Sequence, residues 1–271
     1  MLSTGYMVVK PTCLTPLDIN DTVLSMVIRL GNVTTFLLLA AAAAAQSGPT
    51  IPRLPGGKPD FNGVWDHPRV VDVTKDGNTC GSGTKGCKQV GSGDLAFTEA
   101  GMKIWKDEEH RFDYSARCLP WGLTRAWQVE YPVEIMQTPQ RLAYLYESNN
   151  IFHVIFTDGR DHPKNLDPNW MGHSIGKYVG DTLVIDSVGF NGKTWIDTAE
   201  HPSSDALHVV EQIRHIDADH LAYEVTWEDP KTYTKPIKNT RVFSRMKPGD
   251  EIMEWWCMEN NRDLLGGHLT R

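Results

Sequence analysis

The chain has 271 residues, of which 23% are charged and 40% hydrophobic, and it carries a formal net charge of −7. This charge, with no run of basic residues, gives no support for binding to nucleic acid or to an anionic membrane surface. The length is sufficient for one sizeable hydrophobic core, and all-β units of this size are often single domains.

The first 46 residues are expected to be removed from the mature protein. Residues 36–45, FLLLAAAAAA, form an apolar run typical of a signal peptide and too short to cross a bilayer, which needs about 20 residues. Ala43 and Ala45 fit an A-x-A cleavage site, and residues 1–25 are interpreted as an extension upstream of the signal peptide that begins at Met26. The alternative is a buried Ala-rich helix. Export predicts a periplasmic or secreted protein with no transmembrane segment in the mature chain.

The rest of the chain is expected to form one domain. Residues 47–75 would hold a linker and the first strand, residues 76–130 an insertion of loop and helix, and residues 131–271 the body of a β-barrel that also includes residues 60–75. Thr98 is a suitable N-cap for a helix over 98–111. From residue 133 onward, strand-like segments alternate with turn residues at intervals of about 8–12 residues, which is typical of an antiparallel sandwich or barrel.

Four cysteines remain once Cys13 is removed with the leader. An even number of cysteines in an exported protein indicates disulfides. Cys80 and Cys87 enclose a flexible Gly-rich loop, so the preferred pairs are Cys80 with Cys87 and Cys118 with Cys257. A zinc site is the competing interpretation, which the C-x6-C spacing and the absence of C-x2-C disfavour.

Two resemblances are carried by short motifs. Eight short segments resemble, in their order, a family of uncharacterised exported bacterial proteins, and this resemblance implies no particular activity. The segments are PDFNGVW, RCLP, EIMQTP, TDGRDHP, WMGHSIG, GDTLVIDSVGFN, LHVVE and DPKTYTKP. Gly63-Val64-Trp65 is similar to the G-x-W signature of lipocalin-like barrels, in which the Trp closes one end of the barrel. Together they imply an all-β fold, a single antiparallel barrel of lipocalin or calycin type with one short helix and a Gly-rich disulfide loop.

Gly180-Asp181 is the clearest hairpin turn in the sequence, because glycine supplies the positive φ that a two-residue loop requires. Residues whose numbers sum to 361 then face each other, so Ile175 pairs with Asp186 and His173 with Val188. His173 and Asp186 become diagonal neighbours on one face, close enough for the carboxylate to orient the imidazole. One interpretation is a catalytic His–Asp pair, and the other is a solvated face.

A second hairpin is expected near residues 217–220. A loop of two or four residues there gives a pair sum of 437 and places His208 on the same face as Tyr223 and Trp227, with Glu211 on the opposite face. A loop of three residues would exchange the two faces, so Glu211 also remains a candidate. The four candidate catalytic residues are therefore His173, Asp186, His208 and Glu211.

Metal binding is an alternative use of the histidines. His173, His201 and His208 could form an open zinc or copper site, although no tight ligand spacing such as H-E-x-x-H is present. The preferred expectation is a site without metal or organic cofactor. Four other histidines are interpreted as surface or turn residues: His153, His162, His215 and His220.

The aromatic residues favour a small-molecule site, since such sites combine apolar walls with a few polar groups. The alternative is that these aromatics simply fill the core. The candidate ligand-binding residues are Trp65, Arg160, Trp170, Tyr178, Trp195, Tyr223 and Trp227. The sequence therefore predicts an exported barrel, monomeric or homodimeric, that encloses a small apolar or aromatic compound. It would be either an acid/base enzyme (lyase, isomerase or hydrolase) or a carrier that does no chemistry.

Overall fold

A closed β-barrel of nine strands forms the body of the protein, as expected for the all-β class. The computed structural model describes residues 50–107, 112–129 and 131–259. The expected leader and cleavage site lie outside these residues. The strands are β1 (Gly63–Asp66), β2 (Lys88–Val90), β3 (Val133–Gln137), β4 (Arg141–Tyr146), β5 (Phe152–Phe156), β6 (His173–Val179), β7 (Thr182–Val188), β8 (His208–His215), β9 (His220–Glu228) and β10 (Ile237–Arg245).

The ring closes because β1 pairs with both β3 and β10. The order around the barrel is β1-β3-β4-β5-β6-β7-β8-β9-β10, and the short β2 pairs with β10 outside this ring. All neighbouring strands are antiparallel except β5 and β6, which run parallel over two residue pairs, Ile155 with Ser174 and Phe156 with Ile175. This one parallel pair departs from the antiparallel pattern, because the connection over residues 157–172 crosses back to the other end of the barrel.

The lumen is filled by side chains. Inward-facing residues alternate with outward-facing ones along each strand, as a two-residue period requires. Trp65 is fully buried at one end, where its indole N–H donates to the carbonyl of Phe61 (2.9 Å) and the guanidinium of Arg245 lies 4.2 Å from its ring centre. The side chains pack across the space in which a ligand was expected, in line with the alternative interpretation that these aromatics fill the core.

A short helix inserts an aromatic side chain into this core. Helix α2 (Gly122–Ala126) follows α1 (Glu99–Lys106), and the residue after it, Trp127, is 2% exposed. The Trp127 ring packs against Tyr144, Tyr146 and Tyr223 with ring centres 4.9, 5.3 and 5.3 Å apart. For α1, the predicted cap is confirmed, because the Thr98 hydroxyl oxygen accepts a hydrogen bond from the Gly101 N–H at 2.9 Å.

Both predicted disulfides are confirmed: Cys80 is bonded to Cys87, and Cys118 to Cys257. No helix among the described residues is both long and apolar enough to cross a membrane.

The two hairpin predictions had different outcomes. The register at Gly180-Asp181 is confirmed, since Ile175 pairs with Asp186 and His173 with Val188. The pair sum of 437 for β8 and β9 was wrong, because His215 pairs with Leu221 and the N–H of Ile216 donates to the carbonyl of His220, which encloses a loop of three residues. This one-residue change exchanges the two faces of β8.

Candidate functional site

A cleft of about 600 Å³ lies at the β5–β6 seam. The two parallel strands pair only over their overlapping part, so the start of β5 extends beyond the start of β6. Two hydrogen bonds show which backbone groups of β5 face β4. One is donated by the N–H of Tyr146, at the end of β4, and the other by the N–H of Thr157, directly after β5. By alternation, the backbone groups of Phe152 face the seam, where β6 has not yet begun.

The walls of the cleft are apolar and aromatic, and none of its described lining side chains is that of Asp, Glu, Lys or Arg. A site of this size with apolar walls and few polar groups is typical of those that bind small uncharged molecules. The lining residues are Cys118, Pro120, Asn149, Asn150, Ile151, Phe152, His153, Val154, Phe156, Asn169, Trp170, Met171, Gly172, His173, Ser174, Trp256 and Met258.

The backbone around the cleft is held in uncommon conformations. Of the four described non-glycine residues with positive φ, three line this cleft: Cys118 (57°), Asn149 (58°) and Asn150 (48°). Asn adopts this region more readily than most residues, whereas Cys does not. Such positions cost stability and concentrate at functional sites, which makes the cleft a candidate site on grounds independent of its volume.

A buried polar chain forms part of the cleft wall. His153 Nε2 lies 2.7 Å from the Ser174 hydroxyl oxygen, and Ser174 is hydrogen-bonded in turn to Ser187. Burial, followed by the charge of His173, lowers the pKa of His153 to about 3, so this imidazole is neutral at physiological pH. Ser174 is fully buried, and its hydroxyl is hydrogen-bonded to both His153 and Ser187. The interpretation of His153 as a surface residue was therefore wrong.

A chain of histidines and carboxylates extends from the cleft across the outer face of the barrel. His173 Nδ1 lies 2.8 Å from His162 Nδ1. Asp186 accepts hydrogen bonds from His162 Nε2 (2.9 Å) and His208 Nε2 (3.0 Å). His208 Nδ1 in turn lies 3.2 Å from Glu228 Oε2. We call these five residues the histidine relay. His173 is its only member that lines the cleft, where its ring stacks on Phe156 with ring centres 5.5 Å apart.

The pKa values along the relay shift in opposite directions. Burial, followed by the charges of His162 and Arg160, lowers the pKa of His173. Burial alone would lower the pKa of His208 and raise that of Asp186, but their mutual hydrogen bond and charge outweigh it. The pKa of His208 is therefore raised and that of Asp186 is lowered. The relay thus holds a neutral imidazole at the cleft and a favourable ion pair on the exposed face.

Four predictions about the histidines need correction. His173 does not bond directly to Asp186 but contacts it through His162, which had been interpreted as a surface residue. His208 does not face the aromatic core, because the β8–β9 register turns it outward. His215, interpreted as a surface or turn residue, is 7% exposed and stacks on Phe61. His220 does lie at a turn, paired with Asp217.

Glu211 faces the lumen and is fully buried. Its Oε1 accepts a hydrogen bond from the Tyr223 hydroxyl (2.7 Å), whereas its Oε2 and the hydroxyls of Tyr144 and Tyr146 have no hydrogen-bond partner among the described residues. Burial raises the pKa of Glu211 to about 7 against the opposing hydrogen bond from Tyr223. The close packing of these rings around Trp127 makes Glu211 part of the core, away from the cleft.

The predicted zinc or copper set does not assemble. His201 is buried and its Nδ1 lies 2.7 Å from Asp197 Oδ2, while His173 and His208 belong to the relay. Within the described residues, His201 groups with Asp72 and Asp197, but both Asp197 oxygens already accept N–H groups, those of Val73 and His201. A second group, Asp66 with Cys80 and Cys87, contains disulfide sulfurs, which are not thiolate ligands.

Of the predicted ligand-binding residues, Trp170 lines the cleft. Trp65, Tyr223 and Trp227 are buried in the core, and Trp195 is 7% exposed beside a smaller cavity. The Tyr178 hydroxyl oxygen accepts a hydrogen bond from Gln137 Nε2 at 2.6 Å, and Arg160 is paired with Asp158.

His153, Ser174 and His162 were not predicted as site residues. A signal existed for His153, since it alternates with Ile155 in the strand FHVIF. None existed for His162, which lies in a connection whose path is set by the barrel. No protein-family model, curated protein or solved structure significantly matches this chain.

Proposed function

We propose that the protein is an exported small-molecule-binding barrel whose ligand occupies the cleft at the β5–β6 seam, and that His173 exchanges a proton with that ligand. The single observation that carries this proposal is that His173 both lines an apolar cleft of about 600 Å³ and belongs to the histidine relay. The ligand is an uncharged, apolar or aromatic compound, because no described side chain of the lining carries a permanent charge. The two disulfides support an oxidising compartment.

The proton-transfer role follows from which ring nitrogens of the relay donate hydrogen bonds and which accept them. When His162 is neutral and donates from Nε2 to Asp186, its Nδ1 can only accept. His173 then donates from Nδ1, and its Nε2 retains a free lone pair. A neutral imidazole with an oriented ring is suited to act as a general base. Because His173 is connected through His162 to Asp186, a proton accepted at Nε2 is stabilised by a carboxylate that does not itself contact the ligand.

The carrier function remains the alternative if His173 only orients the ligand. An uncharged aromatic acid, 4-nitrophenol, separates the two, because its phenolate form absorbs visible light. Wild-type protein is expected to bind this probe and to raise its phenolate fraction. His173→Gln should bind with similar affinity but lose that ionisation. If ionisation of the probe is unchanged in His173→Gln, only the carrier function remains.

A matched pair of variants tests whether the cleft is the binding site. Phe152 and Val179 are each 64% exposed on neighbouring strands, and only Phe152 lines the cleft. Phe152→Ala should weaken binding of the uncharged fluorescent probe N-phenyl-1-naphthylamine by about tenfold, since removing a large apolar contact costs on the order of 1.4 kcal/mol or more. Val179→Ala should not change the affinity. Equal effects, or no binding by wild-type protein, would contradict the proposed site.

A further inference from the structure

One wall of the cleft is formed by a segment with few non-covalent ties to the barrel. After β10 ends at Arg245, residues 251–259 form no helix or strand, and none of their side chains is buried. Two of them, Trp256 and Met258, line the cleft while remaining 47% and 49% exposed. Cys257 lies between these two lining residues and is bonded to Cys118, which also lines the cleft.

Within the part of the chain that the structure describes, this segment makes few non-covalent contacts with other segments. The N–H of Met253 donates to Glu147 Oε2 at 3.0 Å, and the N–H of Trp255 donates to the Asn150 side-chain oxygen at 3.4 Å. The Trp255 ring lies against Tyr131 and Trp121 with ring centres 5.6 and 6.3 Å apart. A segment with so little buried apolar area opens locally at low cost. Among the contacts of the described residues, the disulfide is therefore the main constraint on the position of Trp256 and Met258.

The two disulfides differ in their access to solvent. Cys80 and Cys87 are 3% and 2% exposed, whereas Cys118 and Cys257 are both partly exposed. Thiol–disulfide exchange requires a thiolate to reach a sulfur atom, so access selects which bond reacts. A soluble dithiol can reach the Cys118–Cys257 bond at the rim of the cleft before it can reach the bond beneath the Gly-rich loop.

We infer that the Cys118–Cys257 disulfide is a reducible tie that keeps the cleft closed on its ligand, so that its reduction releases the bound molecule. This inference rests on the proposed function of the cleft. A thiolate of a dithiol attacks Sγ of Cys118 or Cys257 and forms a mixed disulfide, and the second thiol resolves it. The S–S bond of the protein becomes two thiols, and the dithiol, which supplies two electrons and two protons, becomes a disulfide. Trp256 and Met258 are then free to move away from the ligand.

The test is stepwise reduction of the full chain with dithiothreitol, followed by alkylation, peptide mass mapping and titration with N-phenyl-1-naphthylamine. Cys118 and Cys257 should be alkylated first, and at that stage the dissociation constant of the probe should rise by about tenfold or more, as expected for losing contact with a large apolar side chain. Circular dichroism should show that the barrel remains folded.

Matched variants distinguish the effect of losing the Cys118–Cys257 disulfide from a general loss of protein stability. The pair Cys118→Ser and Cys257→Ser should bind weakly with or without reductant, whereas Cys80→Ser and Cys87→Ser should bind as wild type and remain sensitive to reductant. If the first pair does not fold, Trp256→Ala with both disulfides intact should show the same loss of affinity. Unchanged affinity after selective reduction, or alkylation of Cys80 and Cys87 together with Cys118 and Cys257, would overturn the tie while leaving the binding site intact. Absence of probe binding by the oxidised protein would instead overturn the proposed function.

Discussion

The lumen of the barrel and the cleft at its seam both combine aromatic rings with titratable side chains, but only the cleft leaves space between them. In the lumen, Glu211 and Tyr223 are enclosed by rings about 5 Å apart, and neither can contact a molecule from solvent. At the seam, His173 stands beside a cleft and is connected to exposed carboxylates. Burial is the largest cause of the shifted pKa values in both regions, but only at the seam does a group with a shifted pKa also line open space. Substitutions in the lumen should therefore change stability, and those at the seam should change binding or proton transfer.

The largest expected effect is the loss of Trp127. Trp127→Ala should reduce the free energy of unfolding by about 3–5 kcal/mol, because a large buried side chain is removed from a well-packed core. Trp170→Ala is the matched substitution in the cleft, where the ring is partly exposed, and its cost should be clearly smaller. Urea denaturation of both variants measures the difference. Equal losses would mean that the cleft is packed as firmly as the lumen.

The next effect is the pH dependence contributed by Glu211. Its pKa is raised from 4.5 to about 7 in the folded protein, so the folded state binds more protons than the unfolded state between these values. The contribution of Glu211 to the free energy of unfolding is fully present below pH 4.5 and is lost as the pH rises through 7. The total loss is roughly 3 kcal/mol, at 1.36 kcal/mol per unit of pKa shift.

Glu211→Gln removes this titration. The free energy of unfolding of the variant, relative to wild type, should rise as pH increases from 5 to 8. Comparing the two proteins at each pH cancels the opposite slope from the buried histidines His67 and His153, whose pKa values are lowered to about 4 and about 3. A difference that does not vary with pH would show that Glu211 titrates normally in the folded protein.

A smaller effect distinguishes the two histidines at the cleft. His153→Ala should cost about 1–3 kcal/mol, because the buried hydroxyl of Ser174 loses a partner. His173→Ala should change the free energy of unfolding by less than about 1 kcal/mol, since the side chain is only partly buried on the outer face. Thermal denaturation measures the change in stability of both variants. Ionisation of bound 4-nitrophenol measures the role of His173 in proton transfer. The reverse pattern would make His173 a structural residue.

The smallest effect on stability is expected from Asp186→Asn. Asp186 is 42% exposed, and ion pairs at such positions contribute at most about 1 kcal/mol. The variant should nevertheless lower the pKa of His208, because one of the two carboxylates that raise it loses its charge. Titration of the His208 ring protons by NMR measures this change. Asp217→Asn, at the separate His220 pair, is the control and should leave the titration of His208 unchanged.

Local patterns in the sequence were sufficient for several features of the structure. The turn at Gly180-Asp181 specified its register because a two-residue loop leaves one way to pair the flanking strands. The flexible loop between Cys80 and Cys87 was sufficient to pair all four cysteines correctly. At Thr98, the capping residue and its hydrogen bond depend only on the next few residues. Each of these features is decided within a few residues along the chain.

The candidate site was predictable only in part. The sequence selected His173 and Asp186 and placed them on the same face, but it could not show that His162 connects them, because His162 lies in a connection without periodicity. It also assigned the wrong faces to His208 and Glu211. A difference of one residue in the loop over 217–219 inverts every side chain of β8, and nothing local discriminates a loop of three residues from one of two or four.

By itself, the sequence determined the fold class, the disulfide pairs and the relative orientation of side chains within the central hairpin. Only the tertiary structure decided which face of each strand is enclosed and where the open space lies. Alternation with a period of two divides a strand into two faces, but barrel closure selects which one becomes the lumen. The aromatic residues then fill that lumen, and the cleft forms instead where β5 and β6 run parallel and overlap for only two residue pairs.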